Sequence, residues 1–529
     1  MASNRLQKLF DAAGQNSLSW LLVLSGLIAL LVASPLLWIG QRAAQVEPAR
    51  GFELMVSART AEILVTSLGL MASVTILSML IGVPLAIVTT RTDLPYRRFW
   101  TVVAALPLVI PSYIGAFAFV SAFGEHGELE SVLGMAMPNI QGFWGTVLII
   151  TLYTYPYVFL TTRAALLSMD ASLVDAARTL NADRFEAFRR VTFPQIRPAI
   201  AAGSLLVALY AISDFGTPAF MQTEVFTSAI YWEYGAINVE YAALLSLQLL
   251  AVTGLVLLLE ARVGRDEDAS SGDSRGSQIR LGTWKWPTMG GIASLGIVTI
   301  VVPVAIFGVW LLRGTGGATT AYAFELEYAL NSMVLAVLAA LVACAFALPV
   351  GYLSARSDSL LARLFERVTY VGFAVPGIVI GLALVFFGSS YLSFIYRESI
   401  VLLVFAYVVR FLPQAVGNIR TSVLQVDDQL QEAAKTLNAS RGETFRRVTL
   451  PLIAPGVVAG GVLVFLTTMK ELPATLMLQP IGMETLVTLI WGAHGTAHYR
   501  YAALPALILV LISGLSMIIL LRQEDSDLQ

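Results

Sequence analysis

The chain is poor in the residues that keep a protein in water. Only 13% of its 529 residues are charged, about half the share of a soluble domain. Four are lysine (Lys8, Lys285, Lys435 and Lys470), and none stands in a G-x-x-x-x-G-K-[ST] loop, so the phosphate cradle needed for ATP hydrolysis is missing. A single cysteine, Cys344, lies in the apolar run 341–348 and cannot form an internal disulfide; it reads as a small core residue. The net charge of -2 and a pI near 6.0 imply no nucleic-acid partner. These absences exclude a soluble enzyme, a secreted disulfide scaffold and a disordered chain.

Long apolar runs are abundant. Hydrophobic residues make up 57% of the chain, and the mean hydropathy is +0.76. A membrane-spanning helix takes roughly 20 apolar residues. Twelve runs qualify, at about 18–40, 62–90, 99–122, 143–167, 195–217, 241–261, 290–312, 330–355, 366–389, 399–419, 452–470 and 501–521. The first is too long for the apolar core of a signal peptide and lacks a small-residue cleavage site. With the N-terminus in the cytoplasm, 25 of the 33 lysines and arginines fall on the cytoplasmic side, as the positive-inside rule requires. The expected fold is therefore an all-α polytopic membrane protein with both termini inside.

The stretch 265–278 is Gly/Ser-rich and lacks apolar periodicity, which marks a flexible cytoplasmic linker. It divides the chain into a first repeat (1–261), a linker (262–287) and a second repeat (288–529). At an offset of 265, Ser67 matches Ser332, Pro84 matches Pro349, Arg91 matches Arg356, Asp93 matches Asp358 and Pro111 matches Pro376. Beyond eight extra residues at 124–131 the offset becomes 257, pairing Pro156 with Pro413 and Arg163 with Arg420. Six spans per half make the repeats parallel, related by an axis along the membrane normal.

The likeness peaks in a cytoplasmic loop, where 16 of 24 positions are identical between 175–198 and 432–455. Ser172 and Asp428 can each open a capping box. Leu173, Ala176, Ala177 and Leu180 share one helical face, as do Leu430, Ala433, Ala434 and Leu437. Asn181 and Asn438 can take the left-handed conformation that ends a helix, and Pro194 and Pro451 open the next span. Each copy thus predicts a short helix with small residues at its centre, at about 172–190 and 429–447. One such helix alone could simply lie on lipid; two with matched polar residues favour a docking element.

These loops resemble the EAA signature of the permease subunits of binding-protein-dependent ABC importers, of the type I, MetI-like fold. Asp175 and Glu432 stand at its acidic position, Ala176, Ala177, Ala433 and Ala434 at its alanines, and Asn181 and Asn438 where the family has glycine. The fused arrangement, with SDFGTPAF (213–220) and TMKELPATLML (468–478), is most similar to ferric-iron permeases and less so to fused thiamine permeases. The resemblance implies two copies of an ATPase subunit docked on the EAA helices, an extracytoplasmic substrate-binding protein, a prokaryotic cell membrane, and a chain that binds no cofactor while its partner uses ATP.

Asp214 and Glu471 occupy equivalent positions after the fifth span of each half. They are candidates for the substrate pathway; alternatively both are interfacial, solvated or paired with Lys470. Arg410 interrupts an apolar run, with its partner unknown. His494 and His498 are spaced i, i+4 near Tyr499 and Tyr501 and form a weak candidate for a metal pair, against which an external loop contact is favoured. Glu125, Glu128 and Glu130 make an acidic outer loop, read as a solvated face. The function these features imply is a permease for ferric iron, with thiamine or another small solute as the alternative. A secondary transporter suits twelve spans but gives no reason for matched loops.

Overall fold

In a computed structural model the chain is helical. The structure describes residues 2–123, 127, 130, 134, 138–169, 177, 179, 183–263, 279–313, 324–357, 359–396, 400–436, 439–496 and 498–527, without the side chains of 2–19, 516–527 and a few other positions. Among the described residues nine helices are long and apolar enough to cross a membrane: Trp20–Ala44, Ala58–Arg91, Phe143–Ser168, Phe185–Ser213, Val239–Leu259, Gly282–Arg313, Leu326–Arg356, Val401–Gln425 and Gly442–Met469. Two bent helix pairs raise the number to eleven. The last helix, Ala503–Asp527, covers the twelfth expected run.

The bent pairs lie on the expected runs 99–122 and 366–389, where hydropathy alone gave no sign of a bend. Arg97–Val109 meets Ser112–Ala122 at 84°, and Leu360–Ala374 meets Gly377–Tyr391 at 102°. The cause lies in the matched prolines. A residue before proline is pushed out of the helical region, and Ile110 and Val375 are extended, with ψ of 121° and 125°. Pro111 and Pro376 then cap the second helices with nearly the same backbone angles. Irregular backbone at membrane depth survives only inside protein. Accordingly, every residue of Ser112–Ala122 is buried, as are all residues from Gly377 to Phe386.

The chain forms two compact units, which do not coincide with the sequence halves. The first comprises Met1–Val46 and Glu325–Thr488, the second Glu47–Phe324 and Leu489–Gln529. In the first unit the N-terminal helix packs against Leu326–Arg356, Leu360–Ala374 and Gly377–Tyr391, all from the second half of the sequence. In the second unit the helices Lys285–Gly296 and Val302–Arg313, which open the second half, pack against Arg97–Ala105 and Ser112–Ala122 of the first. Each half has thus given its leading helix to the other's bundle.

The remaining spans repeat one packing scheme. Gly203 and Gly460 are equivalent, and a Cβ added to either would come within 2.9 Å of the Cα of Val158 or Ala415, which are also equivalent. Lipid is as apolar as leucine, so close backbone approach stabilises such crossings more than apolar burial does. Ser67 and Ser332 also serve one purpose: their hydroxyls accept the N–H of Phe226 (3.0 Å) and Leu486 (2.9 Å), the opening residues of the short helices Phe226–Gly235 and Leu486–Gly495.

Candidate functional site

The expected coupling elements lie on the segments between Phe143–Ser168 and Phe185–Ser213, and between Val401–Gln425 and Gly442–Met469. In the first copy Asp175, Ala176 and Asn181 lie outside the described residues; Ala177 is half-buried. In the second copy a helix runs Asp428–Thr436. Its cap is Asp427, one residue before the expected start, whose carboxylate accepts the N–H of Gln429 at 2.9 Å. Ala434 is 8% exposed and turned onto the chain itself, whereas Leu430 is 48% exposed and Glu432 is open. The side chain of Ala433 and all of Asn438 lie outside the described residues.

Both copies rejoin the membrane through one turn of π-helix with the same sequence, FRRVT, at Phe188–Thr192 and Phe445–Thr449. Such wide turns are rare and concentrate at functional positions. Thr192 and Thr449 face inward, while Arg190 and Arg447 pair with Glu186 (2.9 Å) and Glu443 (3.1 Å) one helical turn back. Arg91 and Arg356 hold the approach to each segment. The first donates to the Leu166 carbonyl at 2.7 Å, the second to the Val426 carbonyl at 3.0 Å. Each thereby places a cation against carbonyls at the end of a helix, where the dipole favours it.

The two candidate pathway acids prove unlike. Glu471, in the first unit, is 5% exposed. Its Oε1 accepts the N–H of Ala474 at 3.2 Å, and its Oε2 accepts the N–H and hydroxyl of Thr475 at 3.1 and 3.2 Å, so it caps the helix Pro473–Leu478. An ionic partner is Arg410, with Nη1 3.7 Å from Oε1. Gly377 makes the pair possible, since a Cβ there would collide with both the guanidinium and the carboxylate.

Asp214, in the second unit, is half-buried and has no guanidinium beside it among the described contacts. Its Oδ2 accepts the Ser112 hydroxyl at 2.8 Å, and Ser112 Oγ also lies 2.9 Å from the Tyr210 hydroxyl. The Tyr157 ring lies 6.2 Å from that of Tyr210. Thr227 donates to the Asp214 carbonyl at 2.7 Å and fixes the backbone there. The sequence identified the acids but not these neighbours. Ser112 and Gly377 are equivalent at offset 265, and Tyr153 and Arg410 at offset 257, so aligning the repeats beyond their identical positions would have flagged the difference.

The histidine pair does not form a shared helical face. Helix Leu486–Gly495 ends between the two residues, because His498 (φ -94°, ψ 55°) is no longer helical. His494 packs edge-on against Phe220, with ring centres 4.6 Å apart, and His498 Nδ1 lies 2.8 Å from the Thr496 carbonyl. Among the described residues no three His, Cys, Asp or Glu side chains converge to hold a metal. Glu125 and Glu128 lie outside the described residues.

Where the linker rejoins the second repeat it is clasped. Thr92 and Ile279 form an isolated parallel bridge. Asp93 accepts the Leu281 N–H at 2.7 Å and pairs with Lys285 Nζ at 3.0 Å. These contacts hold the chain just before the exchanged helix Lys285–Gly296.

Comparison with known proteins agrees with this doubled architecture. The family model for the binding-protein-dependent transport system inner membrane component matches twice, at 78–265 and 347–526. An Fe(3+)-transport system permease protein of Haemophilus influenzae is 33% identical over 508 residues, covering 95% of this chain and 97% of its own. A ferric transport system permease protein of Actinobacillus pleuropneumoniae is 24% identical over 84% of this chain and 69% of its own. A molybdenum transport system permease protein of Mycobacterium tuberculosis is 29% identical over 87% of its own length but only 43% of this chain. A doubled family model on two bundles of spans, together with a relative alike along almost its whole length, leads to one conclusion: this multi-pass membrane chain belongs to the family of binding-protein-dependent transport system inner membrane components.

Proposed function

We propose that the chain is the permease subunit of an ATP-driven importer and forms the translocation pathway for ferric iron. The observation that carries this reading is the 33% identity to an Fe(3+)-transport permease along almost the whole of both chains. Relatives named for molybdenum match less than half of the chain.

In this reading two ATPase subunits dock on the cytoplasmic segments 172–190 and 429–447, and a substrate-binding protein delivers iron to the opposite face. ATP closes the two ATPases, the docked helices move with them, and the spans reorient so that the pathway opens to one side and then the other. The π-turns at Phe188–Thr192 and Phe445–Thr449 and the Arg91 and Arg356 caps lie between the docking segments and the spans, and give the movement a stiff route into the membrane. The termini and the linker are cytoplasmic.

Copurification with the ATPase and binding protein, followed by measurement of solute-stimulated ATP hydrolysis, tests the function. Ferric iron should stimulate hydrolysis, and thiamine and molybdate should not; the reverse pattern overturns the substrate. For the orientation, a cysteine at Ser274 in a Cys344→Ser background should resist an impermeant thiol reagent in intact cells. Rapid labelling there would place the linker outside.

A further inference from the structure

Both acids accept an N–H of the short helix that follows, but the side chains around them differ. In the first repeat Ser112, Tyr157, Tyr210 and Asp214 stand together. At the equivalent positions of the second repeat stand Gly377, Gln414, Thr467 and Glu471, and Arg410 fills the place of Tyr153. There Gln414 and Thr467 simply hydrogen-bond each other at 3.2 Å, while Arg410 neutralises the acid. If these positions served packing alone, both repeats would need the same shape. Instead one gathers two phenols, a hydroxyl and a carboxylate, and the other cancels its carboxylate with a guanidinium.

We propose that Tyr157, Tyr210, Ser112 and Asp214 form an oxygen-donor way-station for a hard trivalent cation, and that the second repeat has no counterpart; this rests on the ferric-iron reading. Ser112 Oγ lies within hydrogen-bond distance of both the Tyr210 phenol and the Asp214 carboxylate, so three oxygens from two chain segments, the start of Ser112–Ala122 and the end of Phe193–Ser213, converge. Tyr157, Tyr210 and Asp214 are each half-buried, and the two tyrosine rings pack against an apolar cluster that includes Leu70, Val74 and Val207. Carboxylate and phenolate oxygens suit a hard cation, and tyrosine is an established ligand of protein-bound iron. Coordination replaces the phenolic proton, which leaves to water as the iron–oxygen bond forms, and no electron is transferred. A few oxygen donors rather than a closed cage suit a conduction site, which must bind strongly enough to admit the cation and weakly enough to release it.

The test uses the full importer, with ferric citrate as the probe. It reads uptake after reconstitution in vesicles, and the visible phenolate-to-iron charge-transfer absorption in lipid discs. Tyr210→Phe should abolish or sharply reduce the absorption and lower uptake about 10–100-fold, the range typical of lost metal-site partners. Thermal stability and ATPase copurification should be retained. Should Tyr210→Phe fail to fold, Tyr157→Phe removes a second phenolic oxygen from the same cluster and should act in the same direction. Wild-type uptake and absorption in a folded variant overturn the site while leaving the ferric reading intact. Failure of the wild type to import ferric iron overturns both.

Discussion

Arg410 and Glu471 are paired across 3.7 Å because residue 377 is glycine. The contact links the span Val401–Gln425 to the helix Pro473–Leu478 at the point where Gly377–Tyr391 begins. Glu471 and its repeat partner Asp214 each accept an N–H of the helix that follows, but only Glu471 has a guanidinium beside it among the described contacts.

Removing one member of this pair should therefore cost more than removing both. A buried ion pair that loses one partner destabilises by about 3–5 kcal/mol, because an uncompensated charge remains. Glu471→Gln and Arg410→Gln should each lower the thermal midpoint of the purified chain, and the double variant should recover part of the loss. Gly377→Ala should behave like a single variant, since its methyl group displaces the guanidinium. Additive losses in the double variant would show that the two side chains act independently.

Coupling should depend on the exposed side of Asp428–Thr436. Leu430→Asp places a charge on a surface that is now half open, and should reduce ATPase copurification while leaving chain stability within about 0.5 kcal/mol. Ala434→Glu forces a charge into a covered position and should lower both binding and stability. Equal copurification for Leu430→Asp and wild type would remove this face as the docking surface.

Arg91 and Arg356 should matter to transport more than to assembly. A hydrogen bond from a charged donor contributes about 1.5–3 kcal/mol, and each arginine holds a helix end beside a coupling segment. The double variant Arg91→Gln with Arg356→Gln should retain bound ATPase but lose uptake per ATP hydrolysed. Unchanged stoichiometry of solute to ATP would show that these caps carry no movement.

The linker clasp has a pH dependence whose sign follows from Asp93. The Leu281 N–H, and after it the Lys285 ammonium, hold the Asp93 carboxyl below its ordinary value of 3.8. A depressed folded-state pKa stabilises the clasp above the unfolded value, and this contribution is lost as pH falls through the folded one. Between pH 5 and 8 the clasp should therefore be constant. Asp93→Ala should accelerate tryptic cleavage after Lys285 throughout that range, and an unchanged rate would show that Asp93 does not hold this segment.

The amino-acid sequence by itself determined the helical membrane class and the doubled plan, and it singled out the proposed coupling segments. Apolar runs of bilayer length permit little but helices, and identity between distant loops such as 175–198 and 432–455 signals a shared task without any structure. Matched positions such as Ser67 with Ser332 and Pro111 with Pro376 were legible as correspondences but not as functions. Only the tertiary structure decided that the serines cap short helices, that the prolines bend spans through 84° and 102°, and that the leading helices change places. It also decided the fate of the acids. Whether a buried carboxylate meets a guanidinium or a serine and two phenols depends on which side chains other segments bring within a few ångströms, about 60 residues away for Arg410 and 100 for Ser112. Hydropathy has no term for such contacts, because a bilayer-length run constrains the polarity of a segment but not the neighbours it will meet.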